Sequence, residues 1–183
     1  MIIGITGTDG SGKGSVVTCL VEKHGFTHYS VRDSIVREIE RLGLPVDRNQ
    51  MRLTGNALRA QYGNEAMVRI AYERACDENK NKIVIESVRV PAEADYLRSV
   101  GGILLAVDAD VLVRYERVQA RRSVSDYVTF EQFKVQEAAE MENTDPGAQQ
   151  KAKVMATADY TIMNDGTIEE LEAAVDVFIQ KYI

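Results

Sequence analysis

Apolar residues recur along this chain in two rhythms. Short runs at residues 1–6, 82–89 and 103–108 carry isoleucine, valine and leucine in their middles, and the mixed stretches 26–31 and 158–163 read as two further short strands. Apolar runs without alternation suit strands buried on both faces of a parallel sheet. Between them the spacing changes to three and four. Val16, Val17, Leu20 and Val21 share one helix face, and Ile168, Leu171, Val175, Phe178 and Ile179 share another. Further helices are predicted at about 33–42, at 91–100 before Gly101-Gly102, and at 110–122. Strand and helix in alternation predict an α/β fold: a parallel sheet of about five strands with helices on both faces.

Two stretches break the alternation. Gly43-Leu44-Pro45 ends the second helix, and residues 47–80 then read as two or three helices jointed at Tyr62-Gly63-Asn64, with no strand. This insertion, about 33–80, is a lobe placed to cover a crevice at the strand ends. Residues 121–157 are polar and mostly helical, broken by the turn signal Asn143-Thr144-Asp145-Pro146-Gly147, and resemble a lid.

Composition narrows the picture. The 183 residues make one domain, 45% hydrophobic and 27% charged. No apolar run approaches the roughly 18 residues of a membrane span, and no basic-then-apolar leader opens the chain. A cytoplasmic protein without membrane partners is expected. A net charge of −6 disfavours broad nucleic-acid binding. Cys19 and Cys76 form no C-x-x-C pair and read as small core residues on helices. His24 reads as a surface residue near a helix end, and His28 as too isolated for a metal site.

The chemistry concentrates between the first strand and the first helix, in Gly7-Thr8-Asp9-Gly10-Ser11-Gly12-Lys13-Gly14-Ser15. The spacing G-x-x-x-x-G-K is that of a phosphate-binding loop (Walker A). Its backbone N–H groups and the positive helix end surround a polyphosphate, and the lysine reaches the outer phosphates. Gly14 takes the place of the usual hydroxyl, which comes one residue later at Ser15. Asp9 reads as a solvated loop acid or as a functional one.

Elsewhere, Asp33 stands at a strand-to-helix junction with Arg37 on the same helix face, either as a cap and surface ion pair or as part of a site. Glu86 ends the third strand, where such folds place an acid that orients magnesium, or is an ordinary strand-end carboxylate. Arg114, Arg117, Arg121 and Arg122 crowd one helix; basic residues suit its C-terminal dipole, but four within nine residues of an acidic chain favour an anion site.

The loop form Gly-Ser-Gly-Lys-Gly-Ser resembles that of adenylate kinases, which implies ATP with Mg2+ as cofactor. Asp9 resembles the acidic loop residue of thymidylate kinases, which lies near the acceptor. As a whole the chain resembles the P-loop nucleoside monophosphate kinase group, above all the small archaeal adenylate-kinase-related proteins, and also adenylate and dephospho-CoA kinases. The segment from Arg32 to Arg37 resembles their acid-then-arginine helix start. Leu58-Arg59-Ala60-Gln61-Tyr62-Gly63 resembles a signature of the adenylate-kinase-related group, and Glu86-Ser87-Val88-Arg89 their Asp-Gly-x-Arg. Arg117, Arg121 and Arg122 match the adenylate kinase lid entry, and residues 158–166 resemble the strand and turn lying against the ATP base.

The resemblance implies a three-layer P-loop fold, with a helical acceptor lobe and a short helical lid, acting as an ATP-dependent kinase. The γ-phosphoryl group of Mg-ATP would pass to a phosphorylated small acceptor. Gly7, Asp9, Gly10, Ser11, Gly12, Lys13, Gly14, Ser15, Asn164 and Gly166 would hold ATP, with Ser15 and Glu86 at the metal. Asp33, Arg37, Arg59 and Arg89 would hold the acceptor, and Lys13, Asp33, Arg117, Arg121 and Arg122 would act in transfer. A nucleoside monophosphate is the expected acceptor, handled by a monomer or homodimer. If the acceptor were instead the sugar hydroxyl of dephospho-CoA, Asp33 would take its proton. A nucleotide-dependent switch or weak ATPase acting through a protein partner is the alternative of another class. The sequence departs from the group in two ways: Glu86 and Ser87 stand where it has Asp and Gly, and no arginine follows Arg122. Lys134, Lys151 and Lys153 are the lysines available in place of later lid arginines.

Overall fold

The computed structural model describes residues 1–121, 128–141 and 149–182. In chain order the elements are β1 (Ile2–Gly7), α1 (Lys13–Glu22), β2 (Thr27–Ser30), α2 (Val31–Arg41), α3 (Arg48–Tyr62), α4 (Ala66–Asp77) and β3 (Ile83–Glu86). There follow α5 (Pro91–Ser99), β4 (Ile103–Asp108), α6 (Val111–Arg121), α7 (Phe130–Met141), α8 (Lys151–Ala156), β5 (Tyr160–Met163) and α9 (Ile168–Tyr182). The strands form one parallel sheet in the order β2-β3-β1-β4-β5. The expected α/β architecture of about five parallel strands is the one observed.

The central strand explains the layering. Its residues alternate between faces, as strand geometry requires. Ile3 and Ile5, fully buried, face the core formed with Val16 and Leu20 of α1 and Val175 and Phe178 of α9. Gly4 faces the other way, and a side chain there would strike Leu97 of α5. Hence α5 packs close to the sheet, in a second core with Ile39 of α2, Met67 and Ala71 of α4 and Val154 of α8. Truncating a side chain such as Leu97 to alanine removes about 2–5 kcal/mol in cores of this kind.

Between α2 and β3, α3 ends at Tyr62, Gly63 has φ +101°, and α4 begins at Ala66. This helical segment is pinned to the sheet by a group the sequence reading missed, Glu93. This carboxylate is fully buried in α5; its Oε1 accepts from Arg59 Nη2 (3.2 Å), and its Oε2 accepts from the backbone N–H of Arg89 (2.8 Å) and Val90 (3.2 Å). Burial pushes the Glu93 carboxyl above the usual range, although Arg59 and the two amides pull it down. Such a charge stays inside only when its lone pairs are satisfied.

Two sequence readings need correction. Cys76 is exposed, because the core face of α4 is set by Ala71 and Ala75; Cys19 is buried as expected. β2 stops at Ser30 and α2 begins at Val31, so Asp33 lies inside the first turn and Ser30 is the N-cap residue. Among the described residues, no helix is long and apolar enough to cross a membrane.

Ser87 holds φ +76°, a left-handed conformation rare outside glycine. There the N–H groups of Ser87 and Val88 both donate to Ile5 C=O (3.1 and 3.0 Å), turning the chain from β3 towards α5. Left-handed backbone costs a side chain about 1–2 kcal/mol, and glycine's extra unfolded freedom gives back about 0.5–1 kcal/mol. Ser87→Gly is therefore expected to raise the urea midpoint, with an unchanged slope, by the equivalent of about 0.5–1 kcal/mol. Glu93→Ala leaves the Arg59 guanidinium buried without its carboxylate and is expected to cost about 3–5 kcal/mol in the same titration. The double change Arg59→Met with Glu93→Leu should cost clearly less than Glu93→Ala alone.

Candidate active site

Parallel strands bring their carboxyl ends to one edge. The register sets Ile5 beside Glu86, Ser30 beside Glu86, Gly7 beside Val107 and Asp108 beside Met163. The chain runs from β1 to one side of the sheet and then to the other, so the crevice opens at the end of β1, where the glycine loop starts.

The loop is braced from β4, α6 and β5. Thr8 Oγ1 donates to Asp108 Oδ1 (2.5 Å), which also accepts from Ala109 N–H (2.9 Å). Ser11 Oγ donates to Thr8 C=O (2.8 Å), and buried Asn164 donates through Nδ2 to Ser11 C=O (2.8 Å). Gly10 (φ +81°) and Gly12 (φ +93°) turn the loop, and a side chain on either would run into Arg114 backbone or the Asn164 amide. The ladder of α1 opens with Val16 N–H on Gly12 C=O (3.1 Å), so the N–H groups of Lys13, Gly14 and Ser15 lie outside it. Gly14 is exposed, with open space around its α-carbon. Free amides around an open, glycine-lined cradle fit a polyphosphate.

Lys13 folds its ammonium back onto the loop, donating to Gly7 C=O (3.1 Å) and Thr8 C=O (2.5 Å). Burial lowers its pKa to about 8, with Asp9 opposing and the charges of Lys151 and Arg89 adding to the fall. Asp9 is half-exposed, with its Oδ1 3.2 Å from Lys151 Nζ and 3.9 Å from Lys13 Nζ. Desolvation would raise its carboxyl; Lys151, then Lys13 and Arg89, outweigh this and hold it below the usual range.

On the β3 side, Glu86 Oε2 lies 3.2 Å from His28 Nε2. The bond from His28 keeps the Glu86 carboxyl below the usual range, helped by the charges of Lys13 and Arg89 against partial burial. His28 is thus the second residue the sequence reading set aside: adjacent parallel strands, far apart in sequence, bring it to Glu86. Ser15 is half-buried on the first turn of α1. The hydroxyl of Ser15 and the carboxylate of Glu86 are the kind of hard oxygen donors magnesium takes beside phosphate and water. Among the described residues no cluster of three or more acids, histidines or cysteines forms a metal cage of its own, and magnesium held on substrate phosphates requires none.

The residues expected on the acceptor side come from three elements. Arg89 follows β3, donates through Nη1 to Gln149 Oε1 (3.2 Å), and offers its C=O to Gln150 N–H (2.9 Å). Arg59 reaches Glu93 from α3, while its buried Nε has no hydrogen-bond partner among the described residues. Asp33 and Arg37 are exposed on α2 and, among the described residues, form neither the expected surface ion pair nor another hydrogen bond.

The arginines of α6 do not form one cluster. Arg114, buried, donates to Ala109 C=O (2.8 Å), lies 3.6 Å from Asp108, and pairs with Glu137 of α7, so it supports the loop from beneath. Arg117 donates to Asn164 C=O (2.7 Å) and Gly166 C=O (3.3 Å), joining α6 to the turn after β5. Arg121 ends α6 at the surface. Arg122, together with the turn expected at residues 143–147, lies outside the described residues.

Comparison with known proteins agrees with this arrangement. The family model described as an AAA domain matches residues 3–142. A UPF0200 protein of Thermococcus kodakarensis is 31% identical over 100% of this chain and 98% of its own, and one from Methanocaldococcus jannaschii is 27% identical over 100% and 91%. Among solved structures, TT1252 from Thermus thermophilus has a TM-score of 0.65 at 23% identity, covering 100% of this chain and 98% of that one. Shikimate kinase from Acinetobacter baumannii in complex with shikimate has 0.57 at 17%, covering 98% and 93%. At these identities the structures speak for the fold, which is that of P-loop kinases. The chain belongs to the AAA domain family of P-loop proteins and to the UPF0200 proteins of archaea.

Proposed function

We propose that the protein transfers the γ-phosphoryl group of Mg-ATP to a small acceptor that itself carries a phosphate, a nucleoside monophosphate. The observation that supports this most is the double grip of Glu93. One buried carboxylate holds the Arg59 side chain and the Arg89 backbone beside the phosphate loop, and leaves the Arg59 Nε–H unused. Two arginines presented from different elements, next to a lysine whose charge already feels Arg89, suit a second phosphate facing the first.

When bound, Mg-ATP supplies the electrophilic phosphorus and the leaving group. Lys13 and the loop N–H groups hold the outer phosphates, and Ser15 with Glu86 would hold the metal and its waters. His28 orients Glu86. Arg59, Arg89 and Arg37 would hold the acceptor, and Arg121 and Arg122 would close from the lid side, while Arg117 holds the turn after β5. Charge neutralisation and alignment, rather than proton transfer, dominate this chemistry. Asp33, exposed on α2 and without a hydrogen-bond or ion-pair partner among the described residues, favours a second reading in which a sugar hydroxyl such as that of dephospho-CoA is the acceptor and Asp33 takes its proton.

ADP release from Mg-ATP, measured with AMP, CMP, UMP, GMP, dTMP and dephospho-CoA in turn, tests both readings. One monophosphate is expected to raise turnover well above background. Stimulation by dephospho-CoA alone would transfer the assignment to the hydroxyl acceptor, and turnover indifferent to every acceptor would overturn both. Lys13→Ala is expected to lower the stimulated rate by at least about 10²–10³-fold with little change in melting temperature.

The depressed pKa of Lys13 adds a pH test. A polyphosphate beside the ammonium favours its charged form, so its pKa rises on binding. At pH 8 about half of the lysines are neutral before binding, so Mg-ATP should draw in about half a proton. At pH 6 it should draw in almost none from this group. Calorimetric titrations in buffers of differing ionisation enthalpy measure the uptake, and Lys13→Met should remove it.

A further inference from the structure

We infer that Lys151 is a second phosphate-binding lysine, reaching from α8 to the γ-phosphate and standing in for the lid arginines that the chain lacks after Arg122. The inference rests on the phosphotransfer reading and deepens it.

Lysine ammonium groups are rarely taken out of water without a strong partner. Lys151 is only 3% exposed. Its Nζ is 3.2 Å from Asp9 Oδ1, the same oxygen that lies 3.9 Å from Lys13 Nζ. Two ammonium groups thus converge on one carboxylate oxygen of the phosphate loop, with the charge of Arg89 felt by both Asp9 and Lys13. Lys13, Lys151 and Arg89 therefore all act on the loop acid Asp9, a convergence of cations at the loop mouth that suits a polyphosphate. Glu86 also acts on Lys13, but it is engaged by His28.

The position is built. Gln150 N–H bonds to Arg89 C=O (2.9 Å), the Arg89 side chain bonds to Gln149, and Val154 on the next turn is fully buried. The start of α8 is therefore fastened to the same strand-end turn that presents Arg89. The other lysines of this region do not share the position: Lys134 is exposed and paired with Glu131 (2.8 Å), and Lys153 faces solvent from α8.

Asp9 directly follows Gly7 and Thr8, whose carbonyls hold the Lys13 ammonium, so Lys151 reaches the loop at the same end as Lys13. In transfer, an acceptor oxygen bonds to the γ-phosphorus as its bond to the β–γ bridging oxygen breaks, and that electron pair leaves with ADP. Lys151 gains or loses no proton; its N–H donors neutralise charge on the γ-phosphoryl oxygens. Asp9 holds the ammonium at the loop mouth before nucleotide arrives.

Calorimetric titration of the full chain with Mg-ATP and Mg-ADP separates the possibilities. In Lys151→Met, affinity for Mg-ATP is expected to fall at least about tenfold, the size of one hydrogen bond to a charged group, while affinity for Mg-ADP stays within about twofold. Lys151→Arg should keep Mg-ATP affinity within about threefold of the wild type. Equal losses for both nucleotides, or no loss for either, would overturn the assignment of Lys151 and leave the kinase reading standing. A wild-type chain that binds neither nucleotide would overturn the kinase reading and the inference together. Should Lys151→Met fail to fold, Lys151→Gln carries the same expectations.

Discussion

The carbonyl and hydroxyl groups of the phosphate loop are held by neighbours from across the sheet, and this bracing is the constraint on which the remaining arrangement depends. A loop whose N–H groups must point at an anion cannot use them to hold itself, so its other polar atoms must be tied from outside. Thr8 is held by Asp108 at the end of β4, and Ser11 by Asn164 at the end of β5. Arg114 links the Asp108 corner to Glu137 of α7. The two strands added on that side of β1 therefore set the loop's shape, while β3 and β2, on the other side, carry Glu86 and His28 to its mouth. The order of strands separates support from chemistry.

A buried acid organises the opposite wall. Glu93 fixes Arg59 from the helical lobe and the backbone at Arg89 and Val90 with one carboxylate. A buried ion pair is a weak source of stability, since desolvation consumes most of what the charges gain. Its retention is better understood through geometry: apolar side chains would fill the space, but would leave Arg59 and the Arg89 turn unfixed relative to each other. The strained backbone at Ser87, two residues earlier, belongs to the same turn, and strain of this kind persists where surrounding structure over-determines it.

Much of this was legible in the sequence. The glycine loop, the parallel strands and the jointed insertion follow from local rules: apolar runs for strands, periodic faces for helices, and Gly63 for the break between α3 and α4. What escaped were contacts made by distance in sequence. His28 gains meaning only because β2 and β3 are neighbours, and Glu93 only because α5 turns its first acidic residue inward beneath Arg89. A Glu three residues after the start of a helix is usually read as half of a capping box, and here it does cap, through Val90 N–H, while also reaching Arg59. The arginines of α6 show the converse. Their density suggested one anion site, but helical rotation sends Arg114 under the loop and Arg117 to the turn after β5.

The same rotation bears on how an acidic chain handles an anionic substrate. With a net charge of −6 the molecule as a whole repels polyphosphate. Attraction must therefore be local, from groups brought together within a screening length of about 10 Å. α6 contributes little to the loop's charge balance, because Arg114 is spent on Glu137 and Asp108. Lys13, Lys151 and Arg89 are the cations gathered around Asp9, and they arrive from α1, α8 and the turn after β3. With the role proposed for Lys151, three separate elements must be in place before the anion is held, and nucleotide affinity would depend on the docking of α8 through the Gln150 to Arg89 backbone bond.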